Sequence, residues 1–158
     1  PYRLNRIVNF LNPEADPLAG GYQLNQALIA IGSGGLGGVG YGQSTTKIRY
    51  LPEPVGDSIF AVIAEELGFI GAILFIGALV FLIIRILLMA KAAPDVFSRL
   101  ILIGFASIIA IQAFVNMAAM TGLAPLTGTP LPFVSYGGTA LAVFMTMSGM
   151  VVNISKHS

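Results

Sequence analysis

From Gly68 to Ala90 every position is apolar except Arg85, and a helix of that length, rising 1.5 Å per residue, covers the ~30 Å hydrocarbon core of a bilayer. A second apolar run goes from Leu100 to Met120 and a third from about Gly137 to Ile154, each near the ~20 residues that a crossing needs. The pattern predicts three spanning helices. Lys91 and Arg99 lie between the first two runs, Arg85 can snorkel towards them, and Lys156 and His157 follow the third. Positive charge at membrane ends marks the cytoplasmic side, and both clusters fall on one side only with three spans. The expected organisation is an extracytoplasmic segment 1–57, a helix 58–90 with an extracytoplasmic start, a cytoplasmic loop 91–99, a helix 100–120, an extracytoplasmic loop 121–136, a helix 137–154 and a cytoplasmic tail 155–158.

The segment before the first span has its own pattern. Leu24 to Ile31 is apolar and helix-like but far too short to cross, and it leads into Gly32-Ser33-Gly34-Gly35-Leu36-Gly37-Gly38-Val39-Gly40-Tyr41-Gly42. Irregular backbone is excluded from lipid unless protein or a wet cavity covers it, so an interfacial or re-entrant element is expected here. Residues 1–20 read as loop with a short amphipathic helix around Arg6 to Leu11. The chain opens on Pro1-Tyr2-Arg3 with no targeting segment and reads as a piece of a longer protein.

Composition agrees with membrane residence. Apolar residues make up 56% of the 158 positions and charged residues 9%, where a soluble domain carries about 25% charged. A net charge of +1 gives no basic field for nucleic acid, and the absence of cysteine excludes disulfides and thiolate metal sites.

Several constellations could carry chemistry. Gly32 to Gly37 fits G-x-G-x-x-G, but a dinucleotide fingerprint needs a strand before it and a helix after it. Here an apolar helix precedes it, so closely packed or flexible backbone is expected and no nucleotide. Lys47, Arg49, Glu53 and Asp57 cluster just before the first span. In the bland reading the cations touch lipid headgroups, and Asp57 or Ser58 caps the helix opening at Ile59. In the functional reading a carboxylate at the membrane surface, beside cations able to hold phosphate, equips the chain to work on a lipid-linked phosphate. Glu65 and Glu66 project in different directions from a helix, and either pairing or a place in a cavity would justify an acid at that depth. Gln112 and Asn116 share a face of the second span and are expected to hydrogen-bond between helices, serving packing more than turnover. Gly137, Gly138, Thr139 and Ala140 permit close helix approach.

Two stretches resemble the SEDS family (shape, elongation, division and sporulation), which includes peptidoglycan polymerases. The first runs from Asn116 to Ala140, with Gly122, Pro125, Gly128, Pro132, Ser135, Tyr136, Gly137 and Gly138 at signature positions; Thr129 stands where an aliphatic residue is usual. The second is Tyr50-Leu51-Pro52-Glu53, then Gly56-Asp57-Ser58-Ile59-Phe60-Ala61, then Ala64-Glu65-Glu66-Leu67-Gly68. It resembles the family's outer loop entering its eighth helix, where the catalytic Asp usually follows His-Thr and precedes Phe; this chain has Val55-Gly56 and Ser58 there. The Lys47 to Tyr50 wording is nearer the FtsW branch than the RodA branch.

The resemblance implies an all-α integral membrane protein, this chain being the last three helices of a polytopic bundle behind a large extracytoplasmic loop in the bacterial cytoplasmic membrane. It implies a glycosyltransferase that polymerises lipid II during division or elongation, with Asp57 as catalytic base and Lys47, Arg49, Glu65, Gln43 and Ser44 as candidate substrate-binding residues. The implied companions are a class B penicillin-binding protein, other divisome or elongasome membrane proteins, and a divalent cation, Mg or Mn. The chemistry is coherent, because a sugar hydroxyl needs one base and a diphosphate leaving group chiefly needs its charge neutralised. Desolvation would raise the pKa of Asp57 from about 3.9 and a capping hydrogen bond would lower it. A lipid II flippase and a non-catalytic scaffold for the division machinery are the competing readings.

Overall fold

The computed structural model describes residues 20–44 and 57–156. Four helices make up the described fold: α1 (Gly20–Ser33), α2 (Ile59–Ala92), α3 (Val96–Met120) and α4 (Gly138–Lys156), with no strand among the described residues. The last three are long and apolar enough to cross a membrane. Each extends past the expected span, because hydropathy marks only the lipid-immersed part while the backbone ladder continues into polar flanks. The amphipathic helix expected at Arg6 to Leu11 lies outside the described residues.

The 34 residues of α2 would reach about 51 Å if regular, more than a bilayer core requires. The helix is not regular. Gly68 has φ 67 and ψ −168, a conformation open to glycine and costly for any residue with a Cβ. The break divides α2 into a short half, 59–67, and a spanning half, 69–92, and it falls where the apolar run begins.

Between α2 and α3 the chain leaves the helix only at 93–95, shorter than the loop 91–99 read from charge. Ala93 is extended (φ −62, ψ 132), as a residue before proline prefers, and Asp95 then caps α3 by accepting from the Ser98 N–H at 2.8 Å. That bond holds the exposed Asp95 carboxyl below its ordinary range. At the other end of α3, Gly122 (φ 75) closes a Schellman motif: its N–H donates to the Ala119 carbonyl, and Leu123 N–H donates to the Ala118 carbonyl at 2.8 Å.

Packing follows side-chain size. Ala27, Ala30, Ala61, Ala113 and Ala119 form the first core with Phe60, Met120 and Leu131; alanines let α1, α2 and α3 approach closely where lipid gives no hydrophobic drive. A second core towards the opposite end gathers Ile86, Leu102, Phe105, Ile109, Phe144 and Val151. The segment 121–136, read from sequence as an outer loop, folds back onto the bundle. Leu131, Pro132 and Ser135 are buried, the Ser135 hydroxyl accepts the Leu131 N–H at 2.7 Å, and the Phe133 ring lies 5.2 Å from that of Phe144. Phe133 has φ 66, a rare setting for a bulky residue that this ring contact holds in place.

Candidate functional site

The glycine-rich run and the break in α2 fit together. In a continuous helix, Phe69 N–H would bond the Glu65 carbonyl and Ile70 N–H the Glu66 carbonyl. Both partners are exchanged instead. The Glu65 and Glu66 carbonyls accept from Val39 N–H (3.0 Å) and Gly40 N–H (3.1 Å), while Phe69 and Ile70 donate to the carbonyls of Gly35 (2.9 Å) and Leu36 (3.2 Å). These four groups released by the break are thus satisfied, as backbone at membrane depth requires. The approach requires glycine: a Cβ on Gly34 would sit 2.0 Å from the Ala64 carbonyl oxygen, one on Gly38 2.1 Å from that of Glu66, and one on Gly68 2.2 Å from Gly38 N. The glycine-rich run expected as an interfacial or re-entrant element is closely packed: α1 lies along the short half of α2 and residues 35–40 pass through the break.

Above the break the returning strand of backbone is fastened by a side-chain pair. The Ser44 hydroxyl donates to Glu65 Oε2, and each residue is 1% exposed. Both were read from sequence as substrate-binding; the structure turns them towards each other inside the protein, where they fix the start of the segment leading to Asp57. Gln43 remains exposed, and its N–H closes a turn on the Gly40 carbonyl at 3.2 Å. Glu66 faces elsewhere, and its Oε1 is buried without a hydrogen-bond partner among the described residues. Ser44→Ala removes a donor from a buried carboxylate, a loss of about 1–3 kcal/mol. The solubilised full-length protein should accordingly melt several degrees lower, whereas Ser33→Ala, which removes only a bond to Ala30 in its own helix, should move melting little; equal melting of the two variants would remove the latch.

Asp57 sits at the turn entering α2. The helix N-cap is Ser58, with no side-chain capping bond; its hydroxyl accepts instead from Gln23 Nε2 of α1 at 3.2 Å. The Asp57 carbonyl accepts from Asn116 Nδ2 of α3 at 2.9 Å, and the same nitrogen donates to the Thr129 carbonyl at 2.8 Å. Position 57–58 is therefore tied to α1 on one side and to α3 and its following loop on the other. In place of the expected interhelical bond, Asn116 bonds main-chain carbonyls of the turn before α2 and the loop after α3; Gln112, one turn away, leaves its Oε1 buried with no hydrogen-bond partner among the described residues. Lys47 and Arg49 lie outside the described residues.

Of the other signature positions, Gly122 makes the helix stop, Gly128 (φ 70) a turn, Pro132 and Ser135 the buried fold-back, and Gly138 the first residue of α4. Pro125 is half-buried and Tyr136 projects outward. Gly137 N–H bonds the Ser135 carbonyl at 2.9 Å. A cavity of about 540 Å³ beside the break is lined by apolar groups, among them Ile31, Leu36, Phe60, Phe69 and Ile73, and by Thr121. No carboxylate of the described residues lines it. The bond between Asn116 and the Asp57 backbone is the feature sequence reasoning missed, since no periodicity links positions so far apart.

These observations define a helical membrane protein in which a glycine-rich segment is locked to a broken spanning helix and the main chain at Asp57 is tied to α1 and α3 at the loop end of the bundle. The comparisons with known proteins name the same class. A family model described as "Cell cycle protein", covering FtsW, RodA and SpoVE, matches residues 1–158, and the chain belongs to that family. It is 47% identical to stage V sporulation protein E of Bacillus subtilis over 163 aligned residues, covering 100% of this chain and 43% of the relative. It is 49% identical to the probable peptidoglycan glycosyltransferase FtsW of Trichlorobacter lovleyi, covering 98% and 40%. A solved chain from a peptidoglycan synthase complex superposes with a TM-score of 0.75 at 30% identity, over 99% of this chain and 42% of that one. The chain thus spans less than half the length of the relatives it matches.

Proposed function

We propose that the full-length protein is a peptidoglycan glycosyltransferase that polymerises lipid II, and that Asp57 is its general base. The observation that carries this reading is the fixed position of Asp57, held through its own carbonyl by Asn116 and through the neighbouring Ser58 by Gln23. Relatives bearing the name peptidoglycan glycosyltransferase support the reaction. In the reaction an acceptor sugar hydroxyl attacks the anomeric carbon of a second lipid-linked sugar. The C–O bond to the polyprenyl diphosphate breaks, the diphosphate leaves with the electron pair, and Asp57 takes the hydroxyl proton. Lys47 and Arg49 are the cations proposed to neutralise the departing charge.

A divalent cation, Mg or Mn, would be held by Asp57 together with substrate oxygens. Mg asks for only one or two carboxylates beside substrate phosphates, which suits a chain with no cluster of three acids or histidines among its described residues. Such a cation would supply neutralisation of the diphosphate.

The membrane is the bacterial cytoplasmic membrane, with the active end outside. Asp57, α1 and residues 121–137 share one end of the bundle, and Lys91, Arg99 and Lys156 mark the other, the distribution the positive-inside rule assigns to an extracytoplasmic site. A class B penicillin-binding protein and other divisome or elongasome proteins are the partners, in keeping with the synthase complex that the chain superposes on. Full-length protein reconstituted in vesicles with lipid II should yield glycan strands. Lipid II crossing the vesicle without strand formation would favour a flippase, and neither outcome a scaffold.

A further inference from the structure

We infer that Asn116 is a positioning residue for the Asp57 carboxylate during polymerisation, beyond the packing role its place in a spanning helix suggests. The inference rests on the reading of Asp57 as base. Asn116 is 1% exposed, and the two hydrogens of its Nδ2 are both spent on main-chain carbonyls, those of Asp57 and Thr129. The amide orientation is forced, because a flip would set Oδ1 against two oxygens that have nothing to donate.

Its remaining oxygen shows what the side chain is for. Asn116 Oδ1 is buried with no hydrogen-bond partner among the described residues, and an orphaned buried acceptor destabilises. A leucine of similar size would fill the space without that cost. The amide is therefore held for its two donors, which join the peptide entering α2 to the loop after α3. Holding the Asp57 carbonyl sets the 57–58 peptide plane and with it the position of the Cα from which the carboxylate arm departs; Gln23 on Ser58 holds the same peptide from its other side. A base must come within about 2.6–3.2 Å of its proton, and a displacement near 1 Å can cost about 10²-fold in rate.

The test uses full-length protein and radiolabelled lipid II. Asn116→Leu should lower kcat by about 10–100-fold and leave KM for lipid II within about threefold, since the lost bond orients the base and does not hold substrate. Gln112→Leu, on the same helix face but without a bond to position 57, should retain the parent rate. The decisive measurement is the cycle with Asp57→Asn: where no base remains to be positioned, adding Asn116→Leu should not lower the residual rate further. An equal fold-loss in both backgrounds, or a loss shared by Gln112→Leu and tracking melting temperature, overturns the inference. So does failure of both Asn116→Leu and Asn116→Ala to accumulate while Gln112→Leu folds, because the bridge is then a folding element. Asp57→Asn at the parent rate sinks the base assignment; Asp57→Asn inactive with Asn116→Leu at full rate sinks only the positioning role.

Discussion

Asp57→Asn in the full-length protein is expected to polymerise lipid II roughly 10²–10⁴-fold more slowly than the parent, the usual contribution of a general base, while lipid II binding falls much less. The substitution is selective for structural reasons. Asn116 holds the main-chain carbonyl of residue 57, which the change leaves in place, and the N-cap of α2 is Ser58, so the helix start is preserved. What disappears is the ability to accept a proton at neutral pH. Asp57→Glu should recover part of the rate, limited by the extra methylene. Strand synthesis by Asp57→Asn at the parent rate would force the base elsewhere. Glu65, the next acid in sequence among the described residues, is a poor reserve because it is buried against Ser44.

Gly38→Ala should prevent the loop end from assembling. Its Cβ would fall 2.1 Å from the Glu66 carbonyl oxygen and 2.7 Å from the Leu67 carbonyl carbon, at a residue with φ 79. Neither neighbour is a side chain that can swing away. Relief requires withdrawing residues 35–40, which breaks the four exchanged bonds. Backbone strain of about 1–3 kcal/mol and buried unmatched groups at about 1–3 kcal/mol each together make a loss on the order of 5 kcal/mol or more, comparable with the whole margin of many domains. The full-length variant should be scarce in membranes and show no cooperative melting once solubilised. Gly37→Ala is the control, since nothing lies within 4 Å of its Cβ and its φ is ordinary. Melting of Gly38→Ala within a degree or two of that control would contradict the interlock.

Much of this architecture could be read from the chain because lipid imposes simple requirements on sequence. Three apolar runs had to be helices, and the runs beginning at Gly68 and Leu100 end near their observed termini at Ala92 and Met120. The break at Gly68 was not legible. A glycine in an apolar helix is unremarkable, and what identifies this one is its pairing with a segment far away in sequence. The glycine-rich run could be recognised as special, but whether it packed or flexed depended on that same distant partner. The stop at Thr121-Gly122 was available from capping rules; the fold-back after it was not, since Leu131 and Phe133 reveal their depth only through contacts with other helices. Asp57 was found through the resemblance of its surroundings to a family motif. Its attachment to Asn116 joins residues 59 positions apart, beyond the reach of spacing arguments.

A spanning helix ordinarily enters the bilayer as an independent unit, since each of its amides finds a partner within the same segment. The exchanged bonds at Gly68 remove that autonomy from α2. Two of its carbonyls and two of its amides depend on residues 35–40, which leave the ribosome first, as synthesis runs from the N-terminus. The lower half of α2 can insert by its own hydrophobicity, but its upper half reaches its final course only when the earlier segment has come back down beside it. Biogenesis at this end of the protein is therefore a docking event between two parts of the chain, and a delay in delivering the first would leave the second half-threaded.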